Sequence, residues 1–184
     1  MNYAEIKYYD IANGPGVRVS LFVSGCTHHC EGCFNETAWN FRYGRAFTSD
    51  VWDRIYSGCE PYYITGLTVL GGEPFEPENQ IGLIEFIRGF RERFPDKTIW
   101  MYSGYTYEEL TGQESARCRT DITDELLDMS DVLVDGKFEI DKKNITLRFR
   151  GSENQRLIDL KKTKESGDIV LWNDDPVFSS HIMQ

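Results

Sequence analysis

Three cysteines within eight residues constrain this chain more than anything else in it. They stand as Cys26-Thr27-His28-His29-Cys30-Glu31-Gly32-Cys33, directly after the apolar run Val19-Ser20-Leu21-Phe22-Val23. Spacings this short let three thiolates converge on one centre from a single loop, so the stretch reads as a metal or iron–sulfur site. Two chemistries fit. A closed structural zinc site needs four protein ligands and would recruit His28, His29, Cys59 or Cys118. A four-iron cluster held by three thiolates keeps one iron open to a substrate. No second Cys/His pair follows at finger-like spacing, which favours iron–sulfur and leaves zinc as the alternative.

Hydrophobic periodicity surrounds that loop with strand-then-helix units. Residues 17–23, 64–70, 98–102 and 132–135 read as buried strands, the first alternating and then becoming continuously apolar. Helices are predicted over 49–57, 78–94, 106–110 and 122–129. Thr48-Ser49-Asp50 offers N-cap residues for the first, and Leu83, Ile87, Phe90 and Phe94 share one face of the second. Residues 3–11 read as an edge strand or extended lead-in, and 113–119 as a polar loop. Repeated strand–helix units imply a parallel sheet with flanking helices and right-handed crossovers. A complete eight-unit barrel takes about 250 residues, and this chain has 184. The expected fold is therefore α/β, an incomplete open (β/α) barrel in one domain over 1–184. Residues 165–184 are expected to form a loose tail, with Trp172, Val177 and Phe178 as its candidate docking residues. The predicted strands end in the cysteine loop, Gly71-Gly72-Glu73-Pro74, Ser103-Gly104 and Asp135-Gly136-Lys137, at the end where α/β folds gather their chemistry.

Bulk properties narrow the function. A formal charge of −10 argues against a nucleic-acid surface, which wants a basic patch. The Arg and Lys residues gathered between 142 and 164 are interrupted by acidic neighbours and read as a solvated face or partner contact. No apolar stretch reaches the length of a membrane span, and no signal pattern opens the sequence, so a cytoplasmic location is expected. Five cysteines, an odd number with three clustered, fit a reducing compartment better than a disulfide framework.

The Cys-x-x-x-Cys-x-x-Cys loop after a strand resembles that of the radical S-adenosylmethionine (SAM) superfamily. Asn13-Gly14-Pro15-Gly16-Val17-Arg18, Gly71-Gly72-Glu73-Pro74 and Val134-Asp135-Gly136-Lys137-Phe138 are similar to the activating enzymes of glycyl-radical enzymes. Within that subgroup, Cys-Glu-Gly-Cys-Phe-Asn, Tyr102-Ser103-Gly104-Tyr105-Thr106 and Arg150-Gly151-Ser152-Glu153-Asn154-Gln155-Arg156 resemble the activases of anaerobic (class III) ribonucleoside-triphosphate reductases. The resemblance runs over about residues 1–160 with every motif in order. One departure is Gly32, where many superfamily members carry an aromatic; here the aromatic is Phe34.

The resemblance implies a partial (β/α) barrel with one 4Fe-4S cluster on Cys26, Cys30 and Cys33, its fourth iron binding SAM. It implies an adenine contact from Gly32, Cys33 and Phe34, and a methionine contact from Gly71, Gly72 and Glu73, the last adding an anionic acceptor for the ammonium group. Asp135 and Lys137 are implied near SAM, with the lysine on a carboxylate or ribose, and Ser103 is a weaker ribose or adenine contact. The implied partners are the large subunit of an anaerobic ribonucleoside-triphosphate reductase and a reduced flavodoxin or similar electron donor. An activase of the formate-lyase type is the alternative within the enzyme class, and a non-catalytic zinc module the alternative outside it. Asn13–Arg18 and Arg150–Arg156 are expected to shape the mouth that admits the reductase's glycine loop. His28 and His29 are expected to support rather than ligate, and Cys59 and Cys118 to be plain thiols.

Overall fold

A computed structural model describes residues 1–173; the expected docking of Val177 and Phe178 lies outside the described residues. Seven strands form one open sheet: β1 (Asn2–Asp10), β2 (Val17–Val23), β3 (Arg45–Ala46), β4 (Ile64–Gly71), β5 (Thr98–Tyr102), β6 (Val132–Asp135) and β7 (Arg156–Asp159). Their order is β3-β1-β2-β4-β5-β6-β7. The helices are α1 (Ser49–Cys59), α2 (Pro77–Arg93), α3 (Tyr107–Leu110), α4 (Thr123–Asp128) and α5 (Leu160–Ser166). Among the described residues no helix is long and apolar enough to cross a membrane.

The α/β class and flanking helices match the expectation, but the sheet is mixed. β2, β4, β5 and β6 pair in parallel, whereas β1 and β7 run antiparallel to their neighbours. β1 is also not the edge, because the two residues of β3 pair outside it. The physical cause is connection length. Only six residues join β1 to β2, enough for a reversal and far too few for a parallel crossover. The Trp172 ring packs edge-on against Trp100 at 4.9 Å, and the Trp172 backbone N–H donates to the Leu157 carbonyl at 2.8 Å.

Strand alternation divides the sheet cleanly. Val19, Leu21 and Val23 of β2, Leu67 and Val69 of β4, and Ile99 and Met101 of β5 join the main core with Leu83, Ile87 and Phe90 of α2. Trp100 of β5, Val132 and Val134 of β6 and Leu157 of β7 form a second cluster with Phe149 and Trp172. Pro77 opens α2 at a position where a missing N–H costs nothing.

Arg18 corrects the reading of its motif. Although Ala12 and Asn13 line the cavity described below, Arg18 is fully buried. Its guanidinium donates to Thr68 Oγ1 at 2.8 Å, Thr98 Oγ1 at 2.9 Å, and the carbonyls of Leu67 and Thr98 at 2.7 and 2.9 Å. It thereby rivets β2 to β4 and β5, at the cost of burial that lowers its pKa to about 10. Removing it strands several buried acceptors and opens a cavity. Arg18→Ala should therefore cost about 3 kcal/mol or more, read as a lower urea midpoint. An unchanged midpoint would show that the rivet contributes little.

Candidate functional site

The cysteine loop, the β4–α2 loop and the β5–α3 loop meet over the C-terminal ends of the parallel strands. Gly72 N–H donates to the Val23 carbonyl and Glu73 N–H to the Gly25 carbonyl, both at 2.8 Å. This contact is so close that a Cβ at Gly72 would lie 2.5 Å from the Gly25 oxygen. A Cβ at Gly104 would lie 2.4 Å from the His28 ring. Both glycines are thus required by loop-on-loop packing, a demand separate from the ligand approach expected from sequence.

Two buried carboxylates tie the three loops together. Glu73 Oε1 accepts from Phe75 N–H at 2.8 Å and from Ser103 Oγ at 3.0 Å. Its Oε2 accepts from Gly104 N–H at 2.6 Å and lies 2.9 Å from His28 Nε2. Glu76 Oε1 accepts from both the backbone and the hydroxyl of Thr27, and Oε2 from Arg117 Nε at 2.9 Å. The Glu73 side chain, expected as an acceptor for a ligand's ammonium group, is therefore already occupied within the protein. His28 faces Glu73, and exposed His29 stacks on Trp39 at 4.5 Å.

A cavity of about 450 Å³ lies where these loops meet, within the range of small-molecule sites. Cys26, Cys30 and Cys33 all line it, as do Gly32, Phe34, Gly71, Gly72, Glu73 and Ser103. Burial, with the nearby Glu73 charge, pushes the Cys26 thiol up to about 12, although the N–H groups of His28 and His29 point at its sulfur. Burial also raises Cys30, offset in part by the Phe138 N–H and the charge of Lys137. Among the described residues no three His, Cys, Asp or Glu side chains are gathered as a set for a single metal ion. What the structure provides is three thiols on one cavity wall with N–H donors aimed at each of the sulfurs, that of Asn35 reaching Cys33 Sγ at 3.4 Å, a donor set that fits an iron–sulfur cluster. Cys59 and Cys118 are fully buried, and burial pushes both up to about 12, as for inert thiols.

Asp135 and Lys137 are not among the lining residues; Gly136 and Phe138 are. Asp135 Oδ1 accepts from Arg156 Nε at 3.0 Å and Oδ2 from Tyr107 N–H at 2.8 Å, while Arg156 also grips Glu108 with both terminal nitrogens. Arg156 is thus a structural clamp rather than a mouth residue, whereas Arg150 does line the cavity. Of the wall formed by the 138–155 loop, the sequence reading placed only the Arg150–Arg156 stretch at the mouth, where Arg150, Gly151 and Gln155 do line the cavity, and it missed residues 143–149, which have no periodicity. The loop's order comes from single bonds: Tyr102 hydroxyl to the Phe149 carbonyl at 2.7 Å, Gln155 Nε2 to the Gly136 carbonyl at 2.9 Å, and Arg150 Nη1 to the Gln155 carbonyl at 2.6 Å.

Comparison with known proteins agrees with this geometry. Residues 12–158 match the family model of a 4Fe-4S single cluster domain. The chain is similar to the anaerobic ribonucleoside-triphosphate reductase-activating protein of Enterobacteria phage T4, with 41% identity over 159 residues, 85% of this chain and 93% of that protein. The proteins of the same name from Pasteurella multocida and Escherichia coli K12 are 41% and 38% identical over 157 residues. These matches cover 84% of this chain and 95% and 96% of the relatives.

The Arg156 clamp gives a pH-dependent prediction. Its hydrogen bonds hold Glu108 below the ordinary glutamate value of 4.5. A carboxylate with a depressed folded pKa stabilises above its unfolded pKa and loses that stabilisation as pH falls through the folded one. Glu108→Gln should be less stable than wild type by about 1 kcal/mol near pH 7. The gap should close below pH 4.5. A gap independent of pH in urea titrations would contradict the ion pair's role.

Proposed function

The chain belongs to the family of anaerobic ribonucleoside-triphosphate reductase-activating proteins, and on that premise we propose that it generates the glycyl radical of such a reductase by reductively cleaving SAM. The observation that carries this reading is the convergence of Cys26, Cys30 and Cys33 on one cavity with the Gly71-Gly72-Glu73 and Ser103-Gly104 loops. The three cysteines would hold a 4Fe-4S cluster through three of its irons, leaving the fourth for SAM. When bound, the cluster supplies the single electron that breaks a sulfonium C–S bond, giving methionine and a 5′-deoxyadenosyl radical. The hydrogen atom lost from the Cα of a reductase glycine would leave as part of 5′-deoxyadenosine, with the glycyl radical remaining on the reductase. The electron must arrive from outside, from reduced flavodoxin or a similar low-potential carrier in a reducing cytoplasm.

The chain's own groups bind, orient and shield. Backbone donors at Cys26 and Cys30 favour the thiolate forms that ligation requires. Gly71 and Gly72 wall the cavity where the methionine end of SAM would lie, and Phe34, a lining residue 83% exposed, would contact the adenine. Lys137 is close enough to Cys30 for its charge to lower that thiol's pKa, which suits a contact with SAM's carboxylate. Asp135 acts through Arg156, holding the strand end from which Gly136 and Lys137 project. The face bearing Trp100, Tyr102 and Val134 would be the inside of a partial barrel, with Phe149 of the 138–155 loop packed over it.

Anaerobic reconstitution tests the proposal. About four irons per chain, bleaching by dithionite and 5′-deoxyadenosine on adding SAM are expected. Replacing Cys26, Cys30 or Cys33 with alanine should abolish SAM cleavage. Stoichiometric zinc with no iron and no SAM cleavage would leave a structural metal module instead.

A further inference from the structure

We infer that His28 is a positioning residue whose link to Glu73 sets where the cluster-bearing loop stands relative to the loops that hold SAM. The inference rests on the activating-enzyme reading above. Between Cys26 and Cys30 lie only Thr27, His28 and His29, so whatever fixes those three residues fixes two of the sulfurs. Thr27 is fixed by Glu76, and His29 takes a left-handed φ of 49° and stacks outward on Trp39. His28 turns inward, its side chain 5% exposed, and reaches a carboxylate that is itself 1% exposed.

That carboxylate is shared with the opposite wall. Glu73 binds the Ser103 hydroxyl and the Gly104 N–H on the same two oxygens, so one group sets the spacing of the β5 loop and the cysteine loop at once. The imidazole has little room to turn, with the Tyr105 ring edge-on at 4.3 Å and Gly104 too close for any side chain. An apolar residue of similar size would fill this space without the desolvation cost of a buried polar pair. What it would lack is direction: the hydrogen bond fixes the loop's register against Glu73, while apolar packing tolerates a shift. Catalysis of this kind is sensitive to such shifts, since a displacement of about 1 Å costs on the order of a hundredfold in rate.

The test compares His28→Leu with His28→Gln, whose amide places an N–H at nearly the reach of Nε2. Iron content and melting temperature are measured after anaerobic reconstitution, and the reduced cluster's electron paramagnetic resonance signal is titrated with SAM. Iron content should match wild type in both variants. The SAM dissociation constant should rise about tenfold or more in His28→Leu, the loss of one hydrogen bond to a charged group, and recover most of the way in His28→Gln. Three results would overturn the inference: an unchanged SAM titration in His28→Leu, no recovery in His28→Gln, or loss of iron from both variants. A wild-type signal that SAM does not perturb would overturn the activating-enzyme reading, and this inference with it.

Discussion

The site depends on one buried carboxylate. Glu73 sits in the first turn after β4 with no solvent exposure, and its two oxygens meet donors or a ring nitrogen from its own loop, the β5 loop and the cysteine loop. A buried carboxylate with fewer partners would be costly; one fully partnered makes each bond worth more in a low-dielectric setting. Glu76 repeats the arrangement one turn later with Thr27 and Arg117. The Gly71-to-Glu76 stretch therefore holds the cysteines in place as well as walling the cavity.

The sheet beneath supplies what such a knot needs. Four parallel strands bring their C-terminal ends to one level, and β1 and the short β7 flank them by antiparallel pairing. Arg18 braces the strands within the sheet, and the Asp135–Arg156–Glu108 clamp braces β6 against β7 and α3. Neither set touches the thiols. Together they fix the platform, so loop geometry can be set by a few hydrogen bonds.

Much of this was legible in the sequence where the cause is local. β2, β5 and β6 occupy the residues their apolar runs predict, and the spacing of Leu83, Ile87 and Phe90 marks α2's buried face. The three cysteines and the Gly71–Glu73 turn declare themselves because their chemistry is carried by neighbours in the chain. Tertiary causes stayed hidden. β7, Arg-Leu-Ile-Asp, is too short and too charged at its ends to read as a strand until Arg156 finds Asp135. Asp135 looked like a ligand contact because sequence does not show where a carboxylate points. The 138–155 wall depends on bonds such as Tyr102 to Phe149, 47 residues apart, that no periodicity announces.

The central claim is that this protein removes a hydrogen atom from a glycine of its partner reductase. Its most direct test is isotope transfer: reductase carrying glycine deuterated at Cα is mixed anaerobically with the protein, SAM and a reductant. The account predicts deuterium in the 5′-deoxyadenosine, matched by a glycyl radical signal on the reductase. A radical signal with unlabelled 5′-deoxyadenosine, or labelled product absent altogether, would contradict it.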